Sequence, residues 1–126
     1  MIYQSDQEIF AAQEDHLSGL PLELFEQVRL LFDLIQEEED PLQSEIFKRF
    51  ESFLYEVKLI FNFRWKDWEE GRKIIHDAHA DLSCCSLLDL SMYLTLIFRL
   101  EHLEPGTISE AYRNGVLRKI VYSLAG

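Results

Sequence analysis

One segment of this sequence, residues 87–100, is apolar on almost every side of the helix that it would form. Its apolar side chains are Leu87, Leu88, Leu90, Met92, Leu94, Leu96, Ile97, Phe98 and Leu100. A helix that is apolar around its whole circumference must be covered by other elements on all sides. The stretch is interrupted by Asp89 and is too short to cross a bilayer. We therefore predict a buried central helix over about residues 87–103.

The rest of the chain also repeats its apolar residues at helical spacing, with capping patterns where helices should begin. These patterns are Ser5-x-x-Glu8, Asp40-Pro41 with Asp40 as the cap, Ser86-x-x-Asp89 and Thr107-x-x-Glu110. The second helix should turn Leu22, Phe25, Val28, Phe32 and Ile35 inward. Residues 61–65 are expected to form a connection, followed by a fourth helix over about residues 66–79.

The fold class that follows is all-α. Apolar residues make up 48% of the 126-residue chain and aromatic residues 13%, which is enough to build a hydrophobic core. Residues 1–126 show no internal repeat and no linker. We predict a single compact, bundle-like domain of about six to seven helices, with an acidic N-terminal half (1–56) and a C-terminal half (57–126).

The negative charge is concentrated in the first half of the chain. The formal net charge is −11; residues 1–56 hold fourteen acidic and three basic side chains, and residues 57–126 hold nine of each. This balance argues against direct binding of nucleic acid, which requires a surplus of Lys and Arg. The predicted acidic partner face consists of Glu37, Glu38, Glu39 and Asp40, together with Glu23, Glu26, Asp33 and Glu45 nearby.

The N-terminal residues and the cysteines predict a cytoplasmic protein. The first residues lack the basic and apolar regions of a secretory signal peptide. Cys84 and Cys85 are the only cysteines, and adjacent cysteines rarely bridge each other. We expect reduced thiols, with no membrane segment, no metal and no cofactor.

The group Arg99, Glu101 and His102 is the main candidate binding site in the sequence. Arg99 follows the most apolar segment, and a buried guanidinium must be paired. We favour a structural ion pair between Arg99 and a carboxylate of another helix. The alternative is an anion-binding or catalytic arginine beside His102, although no phosphate loop or nucleophile motif accompanies it.

Two further motifs are weak. His76 and His79 lie three residues apart near carboxylates, so on a helix they could offer one face to a metal, but no third ligand is evident. Residues 61–68 mix aromatic and basic side chains, as single-strand-binding surfaces do. Neighbouring acids nearly cancel these bases, which argues against nucleic-acid contact, and Trp65 and Trp68, three residues apart, fit a corner of the core better. We favour a solvated helix end for the histidines and a core position for the tryptophans.

The C-terminal motifs are together similar to a bacterial family. They are Asp81-Leu82-Ser83, Leu88-Asp89-Leu90, Leu94-Thr95-x-x-x-Arg99-Leu100-Glu101-His102-Leu103-x-x-Gly106 and Asn114-Gly115-Val116-Leu117. Over about residues 61–124 the chain resembles the domain-of-unknown-function family numbered 6508. The resemblance implies a bacterial or phage origin and no particular reaction. It also implies that Arg99, Glu101 and Gly106 are shared structural positions, with Gly106 supplying an unusual backbone angle. His102 stands where relatives tend to have a second arginine.

Three functional hypotheses remain at this point. The leading one is a non-enzymatic helical interaction module, with an apolar seam on the second, third or last helix for a protein partner or for self-association. The first alternative is an acidic inhibitor of the immunity or anti-defence type, whose carboxylates imitate a phosphate backbone and occupy a basic protein groove. The second is a small enzyme or anion-binding protein using Arg99 and His102.

Overall fold

The computed structural model describes residues 5–126, and these form seven α-helices and two 3₁₀ turns without any strand. The helices are α1 (Asp6–Ser18), α2 (Leu22–Gln36), α3 (Glu45–Glu56), α4 (Glu69–Ile75), α5 (Leu87–Leu100), α6 (Thr107–Arg113) and α7 (Val116–Ala125). The 3₁₀ turns are Pro41–Gln43 and Trp65–Asp67. The predicted all-α class and the number of helices are confirmed. None of these helices combines the length and the apolar character that a bilayer crossing requires.

Serine caps begin three of the helices. The backbone N–H of Glu8 donates to Ser5 Oγ at the start of α1, and Ser86 and Asp89 form a complete capping box at the start of α5. The prediction that Asp40 caps the third helix is wrong. Asp40 precedes the 3₁₀ turn instead, and α3 begins one turn later, where Ser44 Oγ accepts from the N–H of Phe47 at 3.1 Å.

Helix α5 lies in the middle of the fold, as predicted, although it ends at Leu100 rather than near residue 103. It contacts α1, α4, α6 and α7. Phe98 is fully buried and lies against Phe47 and Phe50 of α3, with ring centroids 6.2 and 6.4 Å apart. Helix α2 packs against α3 and α7 and contributes Phe32 to the same aromatic core.

A partly buried connection follows α3, and its backbone groups bind both the last turn of α3 and side chains of other helices. The N–H groups of Leu59 and Ile60 donate to the carbonyl of Leu54. The carbonyl of Lys58 accepts from Gln13 Nε2 at 2.7 Å, and the N–H of Phe61 donates to Thr95 Oγ1 at 3.1 Å. Ser91 Oγ donates to the carbonyl of Leu59. These hydrogen bonds hold the irregular segment between α1 and α5. They also satisfy backbone groups whose burial without a partner would cost free energy.

Two predicted elements differ from the structure. The fourth helix spans only Glu69–Ile75, preceded by a 3₁₀ turn, and Ala78 is exposed instead of facing the core. The pattern Thr107-x-x-Glu110 does not form a capping box, because Thr107 is already the first residue of α6 and its hydroxyl donates to the carbonyl of Glu104.

Candidate functional site

Arg99 lies in the last turn of α5 beside Tyr55 of α3. Its guanidinium carbon is 5.9 Å from the centroid of the Tyr55 ring, a cation–π arrangement. The predicted ion pair is wrong: no carboxylate among residues 5–126 lies within 4.0 Å of the Arg99 guanidinium, and its buried Nε has no hydrogen-bond partner there. The aromatic ring covers the cation in place of a carboxylate.

The Glu101 carboxylate accepts hydrogen bonds from backbone N–H groups of the same chain. One carboxylate oxygen accepts from the N–H of Gly106 at 3.0 Å and the other from the N–H of Ile108 at 2.8 Å. These donors are at the start of α6, where N–H groups lack helical partners. Gly106 itself has a φ of +100°. In this chain Glu101 and Gly106 therefore make structural contacts at the start of α6.

His102 is exposed, and its ring makes no hydrogen bond to a residue that the structure describes. Its environment thus differs from that of Arg99, which stacks on a ring, and of Glu101, which caps a helix. The three candidate residues are neighbours in sequence, but each has a separate set of contacts.

Sequence reasoning missed Glu51, which lies on α3 opposite these residues. Burial raises the pKa of the Glu51 carboxyl above its ordinary value; nearby His102 lowers this pKa, and Glu101 raises it. Burial also raises the pKa of Tyr55, with Arg99 acting in the opposite direction and Glu51 adding to the increase. The i, i+4 spacing of Glu51 and Tyr55 was visible in the sequence, but nothing there indicated that this face of α3 meets the end of α5.

The acidic segment Glu37–Asp40 forms the turn after α2. All four side chains are exposed, and none forms an ion pair with a residue in the described part of the chain. Glu23 and Glu26 of α2 are exposed in the same way. Two other predicted members of the face are already engaged: Asp33 accepts from the Tyr122 hydroxyl, and Glu45 pairs with Lys48 at 3.2 Å.

Leucines are exposed among these carboxylates. Leu30 is 49% exposed and Leu34 is 46% exposed. At about 100° per residue, Glu23, Glu26, Leu30, Leu34 and Glu37 fall within an arc of about 80° on the outer side of α2. We call these five residues the leucine–acid face.

The structure also corrects the predicted apolar seams. Leu22, expected to face inward, is the first residue of α2 and is 78% exposed. Of the stripes offered as possible seams, that of α7 is buried within the chain, and that of α3 is partly buried and partly half-buried. Among these three helices, large exposed apolar side chains occur on α2.

The two weak motifs have structural explanations. Helix α4 ends at Ile75, so His76 and His79 do not share a helical face. His76 Nδ1 lies 2.9 Å from a carboxylate oxygen of Glu110, and residues 5–126 contain no group of three side chains arranged to hold a metal ion. The aromatic residues of segment 61–68 pack on one another and on the core, as expected for Trp65 and Trp68.

Comparison with known proteins gives one match. A family model described as "Family of unknown function (DUF6508)" matches residues 33–126, which is about three quarters of the chain. The match extends beyond the region of resemblance seen in the sequence and includes the end of α2 and all later helices. Searches of curated proteins and of solved structures found no match. The chain therefore belongs to DUF6508, a family of unknown function.

Proposed function

We propose that this protein is a non-enzymatic interaction module that binds a basic, amphipathic protein segment through the leucine–acid face of α2. The observation that carries the proposal is the exposure of Leu30 and Leu34 between carboxylates that have no cationic partner among the described residues. A partner with apolar residues flanked by Lys or Arg would match both properties. Its setting would be the cytoplasm of a bacterium or of a phage-infected cell, where Cys84 and Cys85 stay reduced.

The two kinds of side chain would contribute differently to binding. Full burial of a leucine side chain is worth about 1.5–3 kcal/mol, so Leu30 and Leu34, which are half-exposed, would each contribute roughly half of that. The carboxylates would mainly accelerate and orient the encounter. A second copy of this chain is a poorer partner, because the two acidic faces would repel each other.

The alternative is an acidic inhibitor that imitates a phosphate backbone. The exposed, uncompensated carboxylates of Glu37–Asp40 favour it. Binding of this kind would depend on charge and would not use leucines. The two proposals therefore make opposite predictions for apolar substitutions on α2.

A helical peptide with leucines on one face and flanking lysines tests the first proposal, with a leucine–glutamate version as the negative probe. We expect the lysine peptide to bind in a salt-sensitive way, and the double variant Leu30→Ala/Leu34→Ala to weaken binding by about tenfold or more. Leu103→Ala is the matched control, because Leu103 is 58% exposed but lies outside α2.

Other outcomes separate the remaining hypotheses. If neutralising Glu37–Asp40 abolishes binding while the double leucine variant binds normally, the phosphate-mimic proposal is favoured instead. If the lysine and glutamate peptides bind equally, charge complementarity is refuted. Light scattering after size-exclusion chromatography tests self-association directly, and a dimer that dissociates in the double leucine variant would show that the occupant is a second copy.

A further inference from the structure

A second surface of the molecule has the properties of a small-molecule site. A groove of about 390 Å³ lies between α1, the connection before α4, and α5. It is lined by Asp6, Phe10, Phe63, Arg64, Asp67, Trp68 and Met92. Its volume falls within the range of ligand pockets, and apolar walls with a few polar groups are typical of them. The groove lies outside the leucine–acid face.

The aromatic wall of this groove is held in place by its neighbours. The Trp68 ring stacks on Tyr93 with centroids 5.1 Å apart and meets Phe63 edge-on at 5.9 Å. Gly71 allows this position, because a Cβ there would lie 2.3 Å from Trp68 Cε3. Phe10 of α1 completes the wall by packing edge-on against Phe63 at 5.7 Å. These contacts between rings fix the positions of the side chains that form the wall.

The charges at the rim favour a cation. Arg64 and Asp67 lie 3.5 Å apart, so that these two charges offset each other. Asp6 is exposed and has no ion-pair partner among residues 5–126. The three charged groups together leave one net negative charge beside an aromatic surface.

We propose that this groove binds a small organic cation, with an aromatic or short alkyl body against Phe10, Trp68 and Met92 and a protonated amine directed to Asp6. Apolar contact would supply most of the affinity, and the exposed carboxylate would select charge. An anion of the same shape would meet the net negative charge of this rim and bind more weakly.

Phenethylamine and 3-phenylpropionate form a matched pair of probes, since they share a phenyl ring on a short chain and differ in charge. The readout is the indole N–H signal of Trp68 in ¹H–¹⁵N NMR spectra, distinguished from that of Trp65 by its loss in Trp68→Phe. We expect phenethylamine to shift the Trp68 signal saturably and 3-phenylpropionate to bind more weakly. Equal binding of the two, or no saturable shift with the amine, would overturn the proposal.

Substitutions locate the site. Asp6→Asn should weaken the binding of phenethylamine by about two- to fivefold, as expected for loss of an exposed ion pair. Asp15→Asn, which removes the same charge from an exposed position on α1, should leave it unchanged. Phe10→Ala should weaken both probes. If Asp6→Asn and Asp15→Asn have the same effect, binding is a general consequence of negative charge and the assigned site is wrong. These outcomes are independent of the peptide experiments on α2.

Discussion

Glu101 and Gly106 together stabilise the backbone where α6 begins. The Glu101 carboxylate accepts two N–H groups at the start of α6, and one of these belongs to Gly106, whose φ of +100° is unfavourable for residues with a Cβ. Arg99, two residues before Glu101, rests on the Tyr55 ring. Arg99 and Glu101, at the end of α5, thus have structural contacts within the fold.

Gly106→Ala is predicted to lower the free energy of unfolding by about 1–2 kcal/mol, the cost of placing a side chain in the left-handed region. A Cβ there would have no atom within 4 Å, so steric overlap adds nothing to this cost. Urea unfolding measures the change. Gly19→Ala is the control, because Gly19 has a φ of −88°. Equal losses in the two variants would contradict the backbone explanation.

Glu51→Gln should stabilise the protein near neutral pH. Burial raises the pKa of the Glu51 carboxyl in the folded chain, so its charged form destabilises the fold at pH values above that raised pKa. Below the ordinary pKa of a glutamate the carboxyl is protonated in both states, and the effect should vanish. Urea unfolding of wild type and variant across this pH range tests the prediction. Glu56→Gln, at an exposed position of α3, controls for loss of a charge. A gain that persists at acidic pH would refute the explanation.

Helix α1 differs from the other long helices because hydrogen bonds of its polar side chains connect it to the rest of the fold. Its buried residues are Gln13 and Leu17, and Gln13 Nε2 donates to the carbonyl of Lys58 and to Ser91 Oγ. His16 Nε2 lies 2.7 Å from the carbonyl of Val57. Helix α5, by contrast, buries eight of its fourteen residues. Elements with few buried apolar contacts open more readily than the core.

Gln13→Ala is predicted to increase amide hydrogen exchange in α1 and in residues 57–61, because it removes both side-chain bonds and leaves the carbonyl of Lys58 without this partner. Exchange in α7 should change little. Hydrogen–deuterium exchange with mass spectrometry measures both regions. Gln7→Ala, at an exposed position of the same helix, is the control. A uniform increase across the whole chain would instead indicate global destabilisation.

One hydrophobic cluster unites the acidic and the electrically balanced halves of the molecule. Its buried members extend from Leu17 to Leu124, and Phe32 of the first half lies against Tyr112 and Tyr122 of the second. The concentration of charge in residues 1–56 is therefore a property of the surface. Except for Asp33 and Glu51, which are half-buried, its carboxylates remain exposed while the same segment supplies core residues.

We predict that residues 1–126 unfold in a single cooperative transition, because neither half could bury its share of this cluster alone. Both tryptophans are in the second half, so their fluorescence reports on that half, whereas far-ultraviolet circular dichroism reports on all helices. The two probes should give coincident midpoints in urea. A separate early transition seen by circular dichroism would show that the first half is a unit of its own.

The amino-acid sequence determined the helical class, the buried position of α5 and several helix starts. These depend on periodicity and on caps such as Ser86 with Asp89, which act within a few residues of chain. It also indicated where the acids concentrate and that Gly106 needs an unusual backbone angle. Local patterns failed where two signals competed, as at Asp40, where Ser44 became the cap.

Only the tertiary structure decided which residues meet. Residues far apart in the sequence come together in three places. Arg99 contacts Tyr55, Gln13 donates to the carbonyl of Lys58, and Glu51 lies half-buried near His102 and Glu101. The packing of α2 against α3 and α7 likewise determined that Leu30 and Leu34 stay exposed while Phe32 is buried. Periodicity assigns residues to a face of a helix, but which face is covered depends on where the other helices pack.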